Sequence, residues 1–243
     1  MNEVQSSRFK DAVWHPKKDT HVVIGGAGGI GSWLSLLISR AGFFPIVYDY
    51  DNIEEHNMGG QLFAKHHIGL SKVEAVKKIV KDFADTDIHD MNERYTADTM
   101  SHNYVFSAFD NMQARKDMFE AWCKNVESWQ SFNDTIIKGG GTDTDKEIPI
   151  FIDGRLTAEQ MQIFCVTPDK IEEYKAHLFD DSEVEDAPCT LKQTSHSAAM
   201  IASHMTAFFT NHFANVLTES KDRNIPFYWE YFIPINYINE RNE

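Results

Sequence analysis

THVVIGGAGGIGS, residues 20–32, decides the fold. A run of apolar β-branched residues (Val22, Val23, Ile24) enters a glycine turn, and residues 33–41 leave it with apolar residues at helical spacing. That order predicts strand, turn, helix. Gly26, Gly28 and Gly31 meet the frame G-x-G-x-x-G, with Gly29 beside them. In such a turn the first glycine permits the tight bend, the second lets backbone approach a phosphate, and the third lets helix pack on strand. The first amides of the helix then face an anion. A second apolar stretch, residues 45–48, ends in Asp49, about 20 residues past the turn, where an acid takes a ribose hydroxyl. The spacing predicts a Rossmann-like nucleotide-binding half.

Composition narrows the class. A chain of 243 residues suits one domain of α/β size. Its 23 basic and 37 acidic residues leave a net charge of -14, the opposite of a nucleic-acid footprint, so no nucleic-acid partner is expected. The first residues lack the apolar core of a signal peptide, and no window reaches the roughly 18 apolar residues of a membrane span. A soluble cytoplasmic protein without a membrane partner is the expectation. Three separated cysteines, Cys123, Cys165 and Cys189, form no C-x-x-C pair and exclude a four-cysteine zinc site.

Further along, residues 1–19 read as an N-terminal arm, and residues 51–71 as a structured connection of the kind that carries function. Ser71 with Glu74 makes a capping box for a helix whose apolar positions are Val73, Val76, Ile79, Val80 and Phe83. Strands follow at 88–95 and 104–109, then a helix at 112–124 capped by Asp110 or Asn111. GGGTDTDKE, residues 139–147, reads as a surface loop. Strands at 148–153 and 160–166 would pair as a hairpin across 154–159. A short helix to about residue 178, an acidic linker, a long helix at 194–217 and an aromatic strand at 226–233 complete the pattern. His196, His204 and His212 fall eight apart on that helix and make no ligand pair, and His66 and His67 would point in different directions.

Taken in order, the glycine turn, D-x-D at Asp49 and Asp51, H-N-M-G-G-Q at residues 56–61, G-x-x-K-V at 69–73 and A-F-D-N at 108–111 resemble the ThiF/MoeB/HesA family, adenylating enzymes related to the ubiquitin-activating enzymes. The likeness is firm over residues 20–115 and loose beyond. It implies an α/β fold with a Rossmann-like, mostly parallel central sheet, an antiparallel C-terminal extension and helices on both faces. Residues 1–243 would form a single adenylation domain, with nucleotide binding in 20–124 and acceptor binding and dimerisation in 125–243. The implied reaction is ATP-dependent adenylation of the C-terminal carboxylate of a ubiquitin-like protein, sulfur-carrier protein or peptide, with ATP and Mg²⁺ as cofactors and a homodimer as the working form. By the same resemblance, Lys72 supplies positive charge against the phosphates, Asp110 holds Mg²⁺, Asn57 and Gln61 bond phosphate or carboxylate, and Asp49, with Asp51 beside it, lies at the ribose.

Departures from the family pattern are equally readable. Gly60 stands where relatives carry an arginine, and the paired C-x-x-C zinc motifs are absent. Arg8, in S-R-F-K, is either the arginine that reaches into a neighbouring subunit's site or an exposed basic residue. Cys189, in P-C-T-L-K, either forms a thioester, its thiolate favoured by Lys192 and opposed by Glu183, Glu185 and Asp186, or has no role. Two other functions stay open at this level: a catalytically silent binding subunit, and an NAD(P)-dependent oxidoreductase, to which the glycine turn and Asp49 point equally.

Overall fold

The computed structural model describes residues 9–138, 147–180 and 194–242. Arg8, Cys189, Lys192, the acidic residues 183–186 and most of the glycine-rich loop fall outside the described residues. Strand β1 (His21–Gly25) runs into the glycine turn and helix α1 (Gly29–Arg40) leaves it. Strand β2 (Phe44–Tyr48) lies parallel to β1, and helix α2 (Lys72–Ala84) precedes strands β3 (His89–Met91) and β4 (Tyr104–Ser107). Helix α3 (Met112–Lys138) leads to β5 (Ile150–Thr157) and β6 (Gln160–Val166); α4 (Ile171–Lys175), α5 (Ser195–Thr218), β7 (Tyr228–Phe232) and β8 (Tyr237–Arg241) follow.

All eight strands share one sheet in the order β3-β2-β1-β4-β5-β6-β7-β8. Strands β1 to β5 are parallel, and β5 to β8 pair antiparallel. After β1 the chain turns to β2 on one side, and after β3 it crosses to β4 on the other. Ligands in such sheets bind where the order reverses, outside the carboxyl ends of the strands. Here that crevice lies between β1 and β4.

Alternation in the strands sorts the core into two layers. Val22, Ile24, Phe106 and Ile152 face α1, α2 and α5, where Leu34, Val76 and Phe209 meet them. Val23, Val105 and Phe151 face the other way, against Phe119 and Trp122 of α3 and Tyr174 of α4. Both faces of a parallel sheet are thereby buried, as apolar strands require. In the arm, Phe9 stacks on Trp14, and Trp14 packs on the first layer.

Several elements depart from the sequence-based expectation. Helix α3 continues to Lys138 rather than residue 124; its second half is polar and contributes little to the core, so apolar spacing does not mark it. Phe83, expected on the buried face of α2, is 63% exposed. Strand β3 spans three residues of the expected 88–95, although Ile88 and Tyr95 are buried on either side. The β5–β6 ladder runs through Gly154 to Thr157, closing on a two-residue turn with Ala158 at φ 51°. Gly154 does not break the strand; a Cβ there would lie 2.4 Å from Met205 Sδ, so the glycine admits α5 against the sheet. Strand β8 was not foreseen: it is a half-exposed edge strand whose Tyr237 and Ile238 stay 51% and 55% exposed. His66 and His67 sit on one 3₁₀ turn with ring centroids 4.1 Å apart, His66 exposed and His67 buried.

Candidate active site

The glycine turn is built as its spacing requires. Gly26 has φ +88°, and its N–H donates to Tyr48 O at 2.8 Å. A Cβ on Gly31 would lie 1.7 Å from Gly26 O, so the third glycine is where helix and turn touch. At Gly28 a Cβ would meet only Gln61 Nε2, at 4.0 Å; that side is open. Gly28 caps α1 without a side-chain hydrogen bond, so the first amides of the helix are left for a ligand.

Asp49, at the end of β2 and 8% exposed, ties the turn to the strand. Its Oδ2 accepts from Ala27 N–H at 2.7 Å and its Oδ1 from Asp51 N–H at 2.8 Å. Burial raises its carboxyl above the ordinary range, against the pull of nearby Lys72 and the two amides. Lys72, in the first turn of α2, is itself buried; its Nζ lies 2.7 Å from Asp51 Oδ2 and 3.9 Å from Asp49 Oδ2. Ser71 sets the start of α2, its hydroxyl accepting from Glu74 N–H as expected. The structure thus brings Gly26, Gly28, Gly29, Gly31, Asp49, Asp51 and Lys72 to one end of the sheet, with Lys72 already paired to carboxylates.

The H-N-M-G-G-Q stretch forms a 3₁₀ turn, Glu55–Gly59. Asn57 is buried, and its Oδ1 accepts from Glu54 N–H at 2.7 Å. The Gln61 Oε1 is buried without a hydrogen-bond partner among the described residues, while its amide nitrogen faces Gly28. A polar atom left so beside an open glycine fits a polar ligand. Gly60 follows this turn, and Ser195 Oγ at the start of α5 donates to Gly59 O at 2.9 Å.

Across the crevice, Ala108 N–H donates to Gly25 O at 2.8 Å. Asn111, not Asp110, caps α3: its Oδ1 accepts from Ala114 N–H at 2.8 Å. Asp110 is left exposed, with a 3.3 Å bond from Asn111 Nδ2. Among the described residues no group of three His, Cys, Asp or Glu side chains could hold a metal by itself. A hard cation here would have one carboxylate and, for the rest, phosphate oxygens and water, the usual ligand set of Mg²⁺.

One cluster escaped the sequence reading. Asp153 on β5 is fully buried and accepts from Arg115 of α3, from Arg155 Nε at 2.7 Å and from Tyr174 Oη at 2.8 Å. Burial alone would raise the Asp153 carboxyl, but Arg115 and Arg155 outweigh it and hold the group below the ordinary range. The available signal was an acid in the middle of the apolar strand IFIDGR. Cys123 and Cys165 are as expected, one in α3 and one buried in β6, and burial pushes the Cys123 thiol up to about 11. His212 is buried, with Nε2 donating to Ile148 O, so it is a core histidine rather than a ligand. No helix among the described residues is long and apolar enough to cross a membrane.

With this geometry in place, residues 4–239 match the model of the ThiF family. The chain belongs to the ThiF family. Ubiquitin-like modifier-activating enzyme 5 of Branchiostoma floridae is 35% identical over 97 residues, 40% of this chain and 22% of the relative. The Bombyx mori enzyme of the same name is 30% identical over 126 residues, 51% of this chain and 25% of the relative. The chain therefore spans about a quarter of the length of these relatives. Among solved structures, Escherichia coli MccB with ATP superposes with a TM-score of 0.66 at 16% identity, covering 100% of this chain and 72% of MccB. The E. coli tRNA N6-threonylcarbamoyladenosine dehydratase TcdA gives 0.57 at 12% identity, covering 89% of this chain and 93% of that one. These likenesses establish a shared ThiF-type fold.

Proposed function

We propose that this ThiF-family chain is an adenylating enzyme: it transfers AMP from ATP to a carboxylate at the C-terminus of a ubiquitin-like protein, sulfur-carrier protein or peptide. The observation that carries the reading is the uncapped start of α1 at an open Gly28, with the Gln61 amide nitrogen as the neighbouring side-chain donor. The reaction joins a carboxylate oxygen to the α-phosphorus and breaks the bond to the β-phosphate, releasing pyrophosphate. Two anions must be brought together, so the protein must neutralise and align them.

The residues divide that work. Amides of residues 28–31 would bind phosphate, and Asp49 the ribose. Lys72 would leave Asp51 for the phosphates, an exchange that keeps its charge compensated throughout. Asn57 and Gln61 would orient phosphate or the reacting carboxylate. Asp110 would supply an oxygen ligand for Mg²⁺, which when bound offsets phosphate charge. MccB has been solved with ATP and with MccA, and TcdA with AMP, which supports a nucleotide and an acceptor as ligands here. Dimerisation, completion of the site by Arg8 of a second copy, and a thioester on Cys189 are further parts of the proposal, as is the treatment of the whole chain as one adenylation domain.

Asp110→Ala tests the assignment: adenylation, read as ATP-pyrophosphate exchange, should vanish while the thermal midpoint holds. Unchanged turnover would remove Asp110 from the mechanism. One observation favours a second reading. Gly60 stands where the family's arginine is expected, which suits a subunit that binds ATP and its acceptor without turning them over. Exchange activity in the purified protein separates the two.

A further inference from the structure

The buried ion cluster on β5 has no evident stabilising purpose. Replacing buried ion pairs with apolar residues of like volume is often neutral or stabilising, because desolvation offsets the attraction. Asp153 is 0% exposed and directly follows buried Ile150, Phe151 and Ile152 in β5, so an apolar residue would fit the layer. What the cluster does hold is backbone. Arg115 reaches out of it with two further donors, Nη1 to Gly154 O at 3.0 Å and Nη2 to Phe109 O. Phe109 immediately precedes Asp110.

The preceding peptide and the Phe109 ring are held from the glycine turn. A Cβ on Gly25 would lie 2.4 Å from the Phe109 ring, and one on Gly26 would lie 2.9 Å from Ala108 O. Residues 108–109 are therefore clamped between the glycine turn and Arg115. The guanidinium suits this role because its rigid fork holds two acceptors at fixed separation, which an ammonium does not. Arg155 and Tyr174 both bond Oδ2 of Asp153, which leaves Oδ1 to Arg115.

The geometry points to Arg115 and Asp153 as positioning residues for Asp110: the cluster fixes the Phe109 carbonyl, and with it the carboxylate assigned to Mg²⁺, relative to the glycine turn. This rests on the adenylating reading, and the experiment separates the two. Titrate wild-type protein and Arg115→Lys with ATP by calorimetry, with and without Mg²⁺, alongside thermal melting. Lysine keeps the charge beside Asp153 but cannot reach both Asp153 and Phe109 O. A supporting outcome rests on ATP affinity without Mg²⁺ staying unchanged, while the Mg²⁺ concentration needed for the metal-dependent gain rises about tenfold or more, as for residues that orient a metal ligand.

A gain that responds to Mg²⁺ equally in both proteins would overturn the positioning role and leave the adenylating reading standing. Wild-type protein indifferent to Mg²⁺ would overturn both. Should the lysine variant fail to fold, Arg115→Ala with millimolar guanidinium replaces it. Restoration of the Mg²⁺ response by guanidinium but not by ammonium supports the role, and restoration by neither or by both refutes it.

Discussion

In the parallel half of the sheet, Gly26 and Gly31 meet at one turn through backbone, and Asp49 holds that turn by accepting from the Ala27 N–H. In the antiparallel half, Asp153, Arg155 and Tyr174 meet inside the core and make their contacts through side chains. Both regions shape the same crevice, one directly and the other through Arg115. The contrast teaches where function is written. A turn that must admit a phosphate needs glycines at set spacing, and that need appears as a motif. A side-chain cluster needs only that its members meet in space, so Arg115, Asp153, Arg155 and Tyr174 are scattered over 60 residues of sequence.

Substitutions can break this comparison from either side. The largest effect is expected at Gly31→Ala, where the new Cβ would lie 1.7 Å from Gly26 O. We expect a loss of roughly 4 kcal/mol or more in urea unfolding, in the range reserved for severe steric conflict. Gly28→Ala is the matched control: with open space around it, the fold should hold while nucleotide binding weakens. Equal damage at the two positions would deny that the glycines have different tasks.

Next is Asp153→Ala, which leaves Arg115 and Arg155 facing each other without their carboxylate. Removing one partner from a buried ion pair is strongly destabilising, by about 3–5 kcal/mol, again read in urea. A change below about 1 kcal/mol, the level of an exposed pair, would show that water reaches the cluster.

The legibility of the chain followed the same division. Val22 to Ile24, the glycines and the Ser71 cap were readable because local sequence alone determines those structures. Gly154 misled, since a glycine in a strand marks a close approach as readily as a break, and Met205 that makes the approach is distant in sequence. Strand β8 was hidden because an exposed edge strand buries too little to show apolar alternation. Asp49 was read as a ribose ligand, yet its bond to Ala27 N–H also makes it the clasp of the glycine turn, a role only the fold displays.

Smaller effects sharpen the account of the site. Lys72→Ala should weaken ATP binding about tenfold, about 1.4 kcal/mol. It would also leave Asp49 and Asp51 without their cation. Unaltered ATP affinity would assign Lys72 to the structural pairing with Asp51 alone.

A further effect lies far from the crevice. Burial pushes His212 down to about 4, whereas its unfolded value is 6.5. The folded chain therefore binds fewer protons than the unfolded one between these values. The stability associated with neutral His212 is complete above pH 6.5 and is lost as pH falls toward 4. His212→Gln, which keeps a donor for Ile148 O, should flatten the decline in thermal midpoint across that window. An unchanged slope would place the acid sensitivity elsewhere.

The central claim is that the crevice between β1 and β4 takes ATP for transfer to a carboxylate. Calorimetric titration of the protein with ATP-Mg²⁺ and, separately, with NAD⁺ tests it most directly. The account predicts saturable binding of ATP-Mg²⁺ and no heat from NAD⁺. Binding of NAD⁺ without a response to ATP would contradict it and return the glycine turn and Asp49 to a dinucleotide-dependent oxidoreductase.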